Sequence, residues 1–314
     1  MSSTLPLPLA SESPRARRLP PWLKRPVPTE QMLETRKLIN GLKLNTVCVE
    51  ARCPNLTECW SRHVATFMIL GDRCTRRCRF CAVGTAKPEP PDASEPQRLA
   101  EAAQHLRLRH VVITSVARDD LDDEGAGHFA DCIRAVRTAM PRCTIEVLTP
   151  DFHAREDCLR AVSDAGPEVF NHNIETVERL HKPVRPQARY HRSLEVLRRA
   201  RAINPAWKTK SGLMVGLGET WDELIVVLRD LRAVACDLVT IGQYLKPSGP
   251  DHAGHVAVSR FYTPAEFEEL AAIARGLGFE AVASGPFVRS SYFAETLYDE
   301  TATSNDAARV SSGG

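Results

Sequence analysis

The chain lacks an excess of either charge: 41 Lys and Arg stand against 39 Asp and Glu. A dedicated nucleic-acid binder carries a basic footprint, so no nucleic-acid partner is expected. Also missing is any run of about 18 consecutive apolar residues, the length a membrane span requires. The opening MSSTLPLPLASESPRARRLPPW has no apolar run of the kind that marks a signal peptide. It contains Ser and Arg and little acid, as organelle transit peptides do, but its prolines argue against an amphipathic targeting helix. A cytoplasmic protein is the expectation, with no membrane partner. Cysteine is too sparse for a disulfide scaffold, at 10 in 314 residues, and reduced thiols are expected.

What is present is a concentration of those cysteines. Six lie between positions 48 and 81, while Cys132, Cys143, Cys158 and Cys236 are scattered through helix or strand patterns, where a small buried hydrophobe is the expected role. Clustering of this kind asks for a metal.

Residues 1–28, rich in Pro, Ser and Arg, read as an irregular arm. From Thr29, an expected N-cap, the spacing of Met32, Leu33, Leu38, Ile39 and Leu42 predicts an amphipathic helix. It opens an extension, 29–63, that carries the first cysteines. From 64 to 285 short apolar runs alternate with helical patterns. Strands are expected at 64–70, 110–115, 144–149, 168–173, 210–216 and 237–242. Helices are expected at 95–108, 126–140, 154–165, 174–181 with 191–203, 220–235 and 264–277, and the run EAVAS at 280–284 closes the pattern. Ser94 and Gln97 have capping-box spacing around Pro96. The remaining segment, 286–314, carries RSSY and a tail expected to be disordered.

This order defines an α/β fold with a mostly parallel sheet and right-handed crossovers. A barrel or partial TIM-type barrel is favoured over a doubly wound open sheet because unusual polar residues recur at the strands' C-terminal ends. They are Ser115 with Asp119 and Asp120, then Asp151, then Asn171, Asn173 and Glu175, then Glu219, and finally Gln243 with Tyr244. In a parallel barrel those loops converge on one mouth.

In CTRRCRFC, Cys74, Cys78 and Cys81 are spaced C-x3-C-x2-C after a strand. Iron-sulfur cubanes normally take four cysteines, so three leave one iron open to a small ligand. A structural zinc site, the alternative, prefers paired C-x2-C groups with a fourth ligand nearby. With Phe80 before the last cysteine, the motif resembles the signature of the radical S-adenosylmethionine enzymes. That resemblance implies a partial (β/α)6 barrel in which the open iron chelates S-adenosylmethionine and an electron from the cluster generates a 5'-deoxyadenosyl radical. GLMVGLGE at 212–219 resembles the G-x-I-x-G-x-x-E pattern of the fifth strand in these barrels, with Met214 in place of Ile. It implies cofactor contacts at Gly216 and Glu219. By the same resemblance Ser115 meets the methionyl end of the cofactor, and Asn171, Asn173 and Glu175 meet the ribose; strand-end capping is the other reading of these Asn and Ser residues.

CVEARCPNLTECW sets Cys48, Cys53 and Cys59 at C-x4-C-x5-C. A second cluster is the natural reading, with zinc and a ligand such as His63 as the alternative. Both spacings in this order, followed by VVITSVARDDL, FNHNIET, KSGLMVGLGET and GPFVRSSY, make residues 40 to 295 similar to the lipoyl synthase family. The resemblance implies insertion of two sulfur atoms at C6 and C8 of a protein-bound octanoyl chain. It implies two 4Fe-4S clusters, the auxiliary one serving as sulfur donor and completed by a serine of RSSY, Ser291 or in its place Ser290. A hard oxygen on an iron otherwise bound by soft sulfur is readily displaced. The implied partners are octanoylated lipoyl carrier domains, namely lipoyl-bearing dehydrogenase subunits and the glycine-cleavage H protein. A low-potential donor such as ferredoxin or flavodoxin and an iron-sulfur cluster carrier are also implied. No catalytic acid or base is expected: Asp119 and Asp120 are assigned no chemistry, and His172 and His181 are read as structural.

Overall fold

The computed structural model describes residues 20–23, 28–247 and 254–301. Most of the N-terminal arm and the tail after Thr301 lie outside the described residues.

The apolar runs form the main sheet. Its strands, in chain order, are β1 (Asn45–Thr46), β2 (Thr66–Ile69), β3 (His110–Ser115), β4 (Thr144–Leu148), β5 (Val169–Asn171), β6 (Lys208–Val215), β7 (Leu238–Gln243) and β8 (Ala281–Gly285). They are hydrogen-bonded in that order. Every pair from β2 to β8 is parallel, and β1 runs antiparallel against β2. The six expected strands are all present, EAVAS supplies a seventh parallel one, and β1 was not anticipated. Because β1 and β8 are the two edges and do not pair, the barrel is open. A strand covered on both faces is buried throughout, as in β2, where all four residues, Thr66 among them, are buried.

Helices cover the outside, each starting where the local chemistry satisfies its free N–H groups. Thr29 caps Glu30–Gly41 by accepting from Met32 N. Thr220 and Thr263 each form a complete capping box, with Glu223 and Glu266 respectively. The box expected at Ser94 does not form. Ser94 has helical dihedrals, and its hydroxyl donates to Asp92 Oδ1 at 2.7 Å, so the local aspartate captures it before the helix can.

The inside of the barrel differs at its two ends. Near the strand starts, Lys210 Nζ donates to both carboxylate oxygens of Glu146 at 2.9 and 3.0 Å, and both residues are fully buried. Below them a helical segment at 294–301 packs against the sheet through Leu297, which meets Leu238 and Ala281, and through Tyr298, whose ring lies 6.0 Å from that of His110. At the strand ends a cavity opens.

Candidate active site

The cavity holds about 650 Å³. Its wall joins four stretches remote in sequence: part of the extension at 47–54, the cysteine loop after β2, the ends of β3 to β7, and the RSSY segment. Cys74, Cys78 and Cys81 all line it, and so does Cys53 of the other group. The loop that carries the first three is fixed by its own short ladder, Arg73–Cys74 pairing with Gly84–Thr85. Two backbone N–H groups, of Arg76 and Ala117, point at Cys74 Sγ from 3.4 and 3.3 Å.

Each donor set offers three thiols, the number a cubane uses when one iron is left to another ligand. All six thiols are free. Burial pushes Cys81 up to about 12, with Cys78 and Cys74 adding repulsion, and raises Cys74 and Cys78 as well. Burial likewise pushes Cys48 up to about 12, with Cys53 adding to it, and raises Cys59, which feels both Cys48 and Cys53. A thiol must lose its proton to bind a metal. Iron loading should therefore release protons and reach about eight irons per chain, two cubanes' worth. Metal analysis after anaerobic reconstitution measures this, and one or two zinc ions with no iron would reverse the assignment.

The expected cofactor contacts divide into two sets. Ser115, Asn173 and Glu175 line the cavity. Ser115 Oγ is buried there without a hydrogen-bond partner, an orphaned group of the kind a bound ligand satisfies. Glu175, held at φ +69°, has its carboxyl raised by burial, against the pull of Arg185, Asn173 and Arg289. Asn171, Gly216 and Glu219 stand apart from the wall. Asn171 is fully buried and donates to Glu146 Oε1 at 2.9 Å. Glu219 accepts from the backbone of Gly216 and Leu217 at 2.6 and 2.9 Å, holding a turn in which Gly216 has φ +100°. A Cβ on Gly216 would meet Gln243 Nε2 at 2.2 Å, so close packing accounts for that glycine.

Three arginines on the wall, Arg52, Arg76 and Arg185, were not anticipated, and the last two are the buried ones. Arg76, inside the cysteine motif, pairs with Asp119 at 2.6 Å and with fully buried Asp151 at 2.8 Å. Burial works against the charge on Asp151, but Arg76, His172 and Arg192 outweigh it and hold the carboxyl low. Asp119 is thus a partner of Arg76, and Asp120 pairs with Arg118 at 2.9 Å. Arg185 donates to the carbonyls of Asn173 and Ile174 at 3.1 and 3.2 Å and leaves its buried Nε unpartnered. Its position inside C-T-R-R-C was the available signal for Arg76. Arg185 follows a short helix, Glu178–Val184, and has no sequence signal of its own. His172 and His181 are buried and hydrogen-bonded to backbone carbonyls, and both are pushed down to about 4 by burial and by Arg185.

The C-terminal segment brings both serines to the wall. Ser290 Oγ donates to Asn173 Oδ1 at 2.7 Å. Ser291 Oγ makes no hydrogen bond among the described residues. The second cysteine group is tied to the same segment, since Asn55 Nδ2 donates to Phe287 O at 2.7 Å and Tyr292 OH to Glu58 at 3.0 Å.

An open parallel barrel with a C-x3-C-x2-C loop at its mouth is the architecture of the radical S-adenosylmethionine superfamily, whose family model matches residues 68–231. Solved structures agree on the fold. Methylornithine synthase superposes with a TM-score of 0.54 at 15% identity, covering 71% of this chain and 72% of that one. Coproporphyrinogen III oxidase from Escherichia coli superposes with a TM-score of 0.50 at 14% identity, over 66% of this chain and 51% of that one. A second family model, the N-terminal domain of lipoyl synthase, matches residues 7–53. Lipoyl synthase of Symbiobacterium thermophilum is 55% identical over 88% of this chain and 86% of its own. That of Methylococcus capsulatus is 53% identical over 92% and 89%. The chain belongs to the lipoyl synthase family.

Proposed function

We propose that the chain inserts two sulfur atoms, at C6 and C8, into an octanoyl group carried on the lysine of a lipoyl carrier domain. In this reading Cys74, Cys78 and Cys81 hold the cluster that binds S-adenosylmethionine. When bound, that pair supplies hydrogen-atom abstraction from an unactivated carbon. Cys48, Cys53 and Cys59, completed by Ser291, hold the second cluster, which is a substrate because its sulfide enters the product. The single observation that carries the reading is one cavity walled both by the first cysteine group and by Cys53 and Ser291 of the second site.

The chain's own residues do the orienting. The 29–63 extension and residues 286–301 of the C-terminal segment bring the sulfur donor to the barrel mouth, and the 64–285 barrel supplies the rest of the wall. Ser115, Asn173 and Glu175 offer polar contacts to the cofactor, with Asn171, Gly216 and Glu219 supporting them from outside the wall. Arg76 and Arg185 add guanidinium groups to the wall, Arg76 held by Asp119 and Asp151 and Arg185 near Glu175. Apolar Met68, Val83, Val116, Leu213, Met214 and Val258 line the remainder, a surface that suits an alkyl chain and excludes water from it. A low-potential donor such as ferredoxin or flavodoxin would supply electrons, and a cluster carrier would rebuild the second cluster, in the cytoplasm.

The deciding experiment gives anaerobic, cluster-replete enzyme an octanoyl-lysyl carrier peptide, S-adenosylmethionine and a reductant, then weighs the peptide. A gain of two sulfurs is expected; cofactor cleavage with no gain of sulfur would move the activity elsewhere in the superfamily. For the ligand assignment, Ser291→Ala is expected to lower sulfur insertion at least tenfold, on the scale of losing a metal's direct or supporting group. Wild-type insertion by Ser291→Ala would transfer the role to Ser290.

A further inference from the structure

We infer that Ser290 is a positioning residue: it latches the C-terminal segment to the barrel so that the adjacent Ser291 hydroxyl is presented to the second cluster, which rests on the reading of Ser291 as the iron ligand. Ser290 Oγ donates to Asn173 Oδ1 at 2.7 Å, and Asn173 Nδ2 donates to Glu175 Oε1 at 3.0 Å. The amide is therefore fixed from both sides, its oxygen toward the hydroxyl and its nitrogen toward the carboxylate. Gly212 on β6 is the third member. A Cβ there would stand 2.7 Å from Ser290 Oγ, 2.8 Å from Asn173 Oδ1 and 2.6 Å from Thr240 Oγ1. A side chain at 212 would crowd Ser290, its acceptor Asn173 and Thr240 together, so that one or more of them must shift.

The same segment is held on its other side by the cysteine extension. Asn55 Nδ2 donates to Phe287 O at 2.7 Å, Tyr292 OH donates to the Glu58 carboxylate at 3.0 and 3.1 Å, and the Arg62 guanidinium lies 4.5 Å from the Phe293 ring centroid. Positions 287, 290, 292 and 293 are thus pinned, while Ser291, between them, lines the cavity with a hydroxyl that makes no hydrogen bond among the described residues. A group left uncommitted within a pinned frame is preorganised for a ligand. The latch also joins the two halves of the site, because Asn173 and Glu175 sit on the cofactor side and Ser291 on the sulfur-donor side.

The test uses the full-length chain with Cys74, Cys78 and Cys81 all changed to Ala, so that only the second cluster is loaded. Two quantities are read: the Mössbauer signature of the oxygen-ligated iron, and the rate of iron loss to a ferrous chelator. Ser290→Ala is expected to move the signature toward that of Ser291→Ala and to speed iron loss about tenfold or more, the usual effect of removing a ligand's outer partner. Asn173→Ala and Gly212→Ala should do the same with residue 290 intact. The Ser290→Ala/Asn173→Ala double variant should be no worse than either single, since the two act as one unit. A wild-type signature and rate in Ser290→Ala, beside a changed Ser291→Ala, overturns the latch alone. An unchanged Ser291→Ala overturns the ligand reading and the latch with it. If Ser290→Ala does not fold, Asn173→Ala and Gly212→Ala decide by the same readings.

Discussion

Replacing Cys53 with Ala is expected to abolish sulfur insertion, by at least about a hundredfold, while S-adenosylmethionine is still cleaved. Removing even an outer partner of a metal ligand costs about 10- to 100-fold, so loss of a direct ligand should exceed the upper end of that range. The two groups of cysteines are separable on structural grounds. Cys74, Cys78 and Cys81 sit on a loop fixed by its own ladder and by the N–H groups of Arg76 and Ala117. Cys53 belongs to the extension that precedes β2, and its segment is tied to the C-terminal stretch through Asn55 and Glu58. Among the described residues no hydrogen bond joins Cys53 to the first loop, so the variant should retain about four irons, one cubane, and the cleavage that goes with them. Cys74→Ala should lose cleavage and insertion together. Parallel measurement of cleaved cofactor and sulfur in the product checks both, and a Cys53→Ala enzyme that still made full product would show that the second cluster is not the sulfur source.

That asymmetry was legible in the sequence because cysteine spacing is a local signal, read without knowing the fold. The strands were legible for a similar reason: buried on both faces, β2 to β7 each carry a short apolar run, such as VVI in β3 and LMV in β6, even where polar residues interrupt it. Depth inside the barrel was not legible. Asn171 and Asn173 share one face of the chain, yet two residues at about 3.3 Å each separate a side chain that serves Glu146 in the interior from one that reaches the cavity. Glu219 illustrates a second limit, since its backbone donors, Gly216 and Leu217, which hold the carboxylate in a turn, leave no sign in the sequence. Choosing between Ser290 and Ser291 was equally closed to the sequence. What separates them is a partner 117 positions away, Asn173, which holds only Ser290.

Lys210 is the residue whose position the sequence disguised most, for a lysine at the start of a strand reads as solvated. In the structure it is fully buried against Glu146, with Asn171 on the same carboxylate and His110 Nε2 3.4 Å from its other oxygen. Lys210→Met is expected to destabilise the protein by about 3 to 5 kcal/mol, because it leaves a buried carboxylate without its counter-ion. For a chain of this size that is a fall of roughly 5 to 8 °C in melting temperature. The double variant Lys210→Met/Glu146→Gln should recover most of the loss, since breaking a buried pair costs more than replacing it. Acid should narrow the gap between wild type and Lys210→Met. Burial alone would raise the Glu146 carboxyl, but Lys210 and then His110 outweigh it and pull it down to about 2 from 4.5. A carboxyl lowered in the folded state contributes stability that is complete above its unfolded value and is lost as pH falls through the folded one. The wild type should therefore lose this contribution between about pH 4.5 and pH 2, while Lys210→Met, whose carboxyl is no longer held down, has little of it to lose. Thermal unfolding at pH 7 and pH 4 measures both effects, and a Lys210→Met protein melting within a degree of wild type at pH 7 would show that the barrel interior tolerates the lone carboxylate.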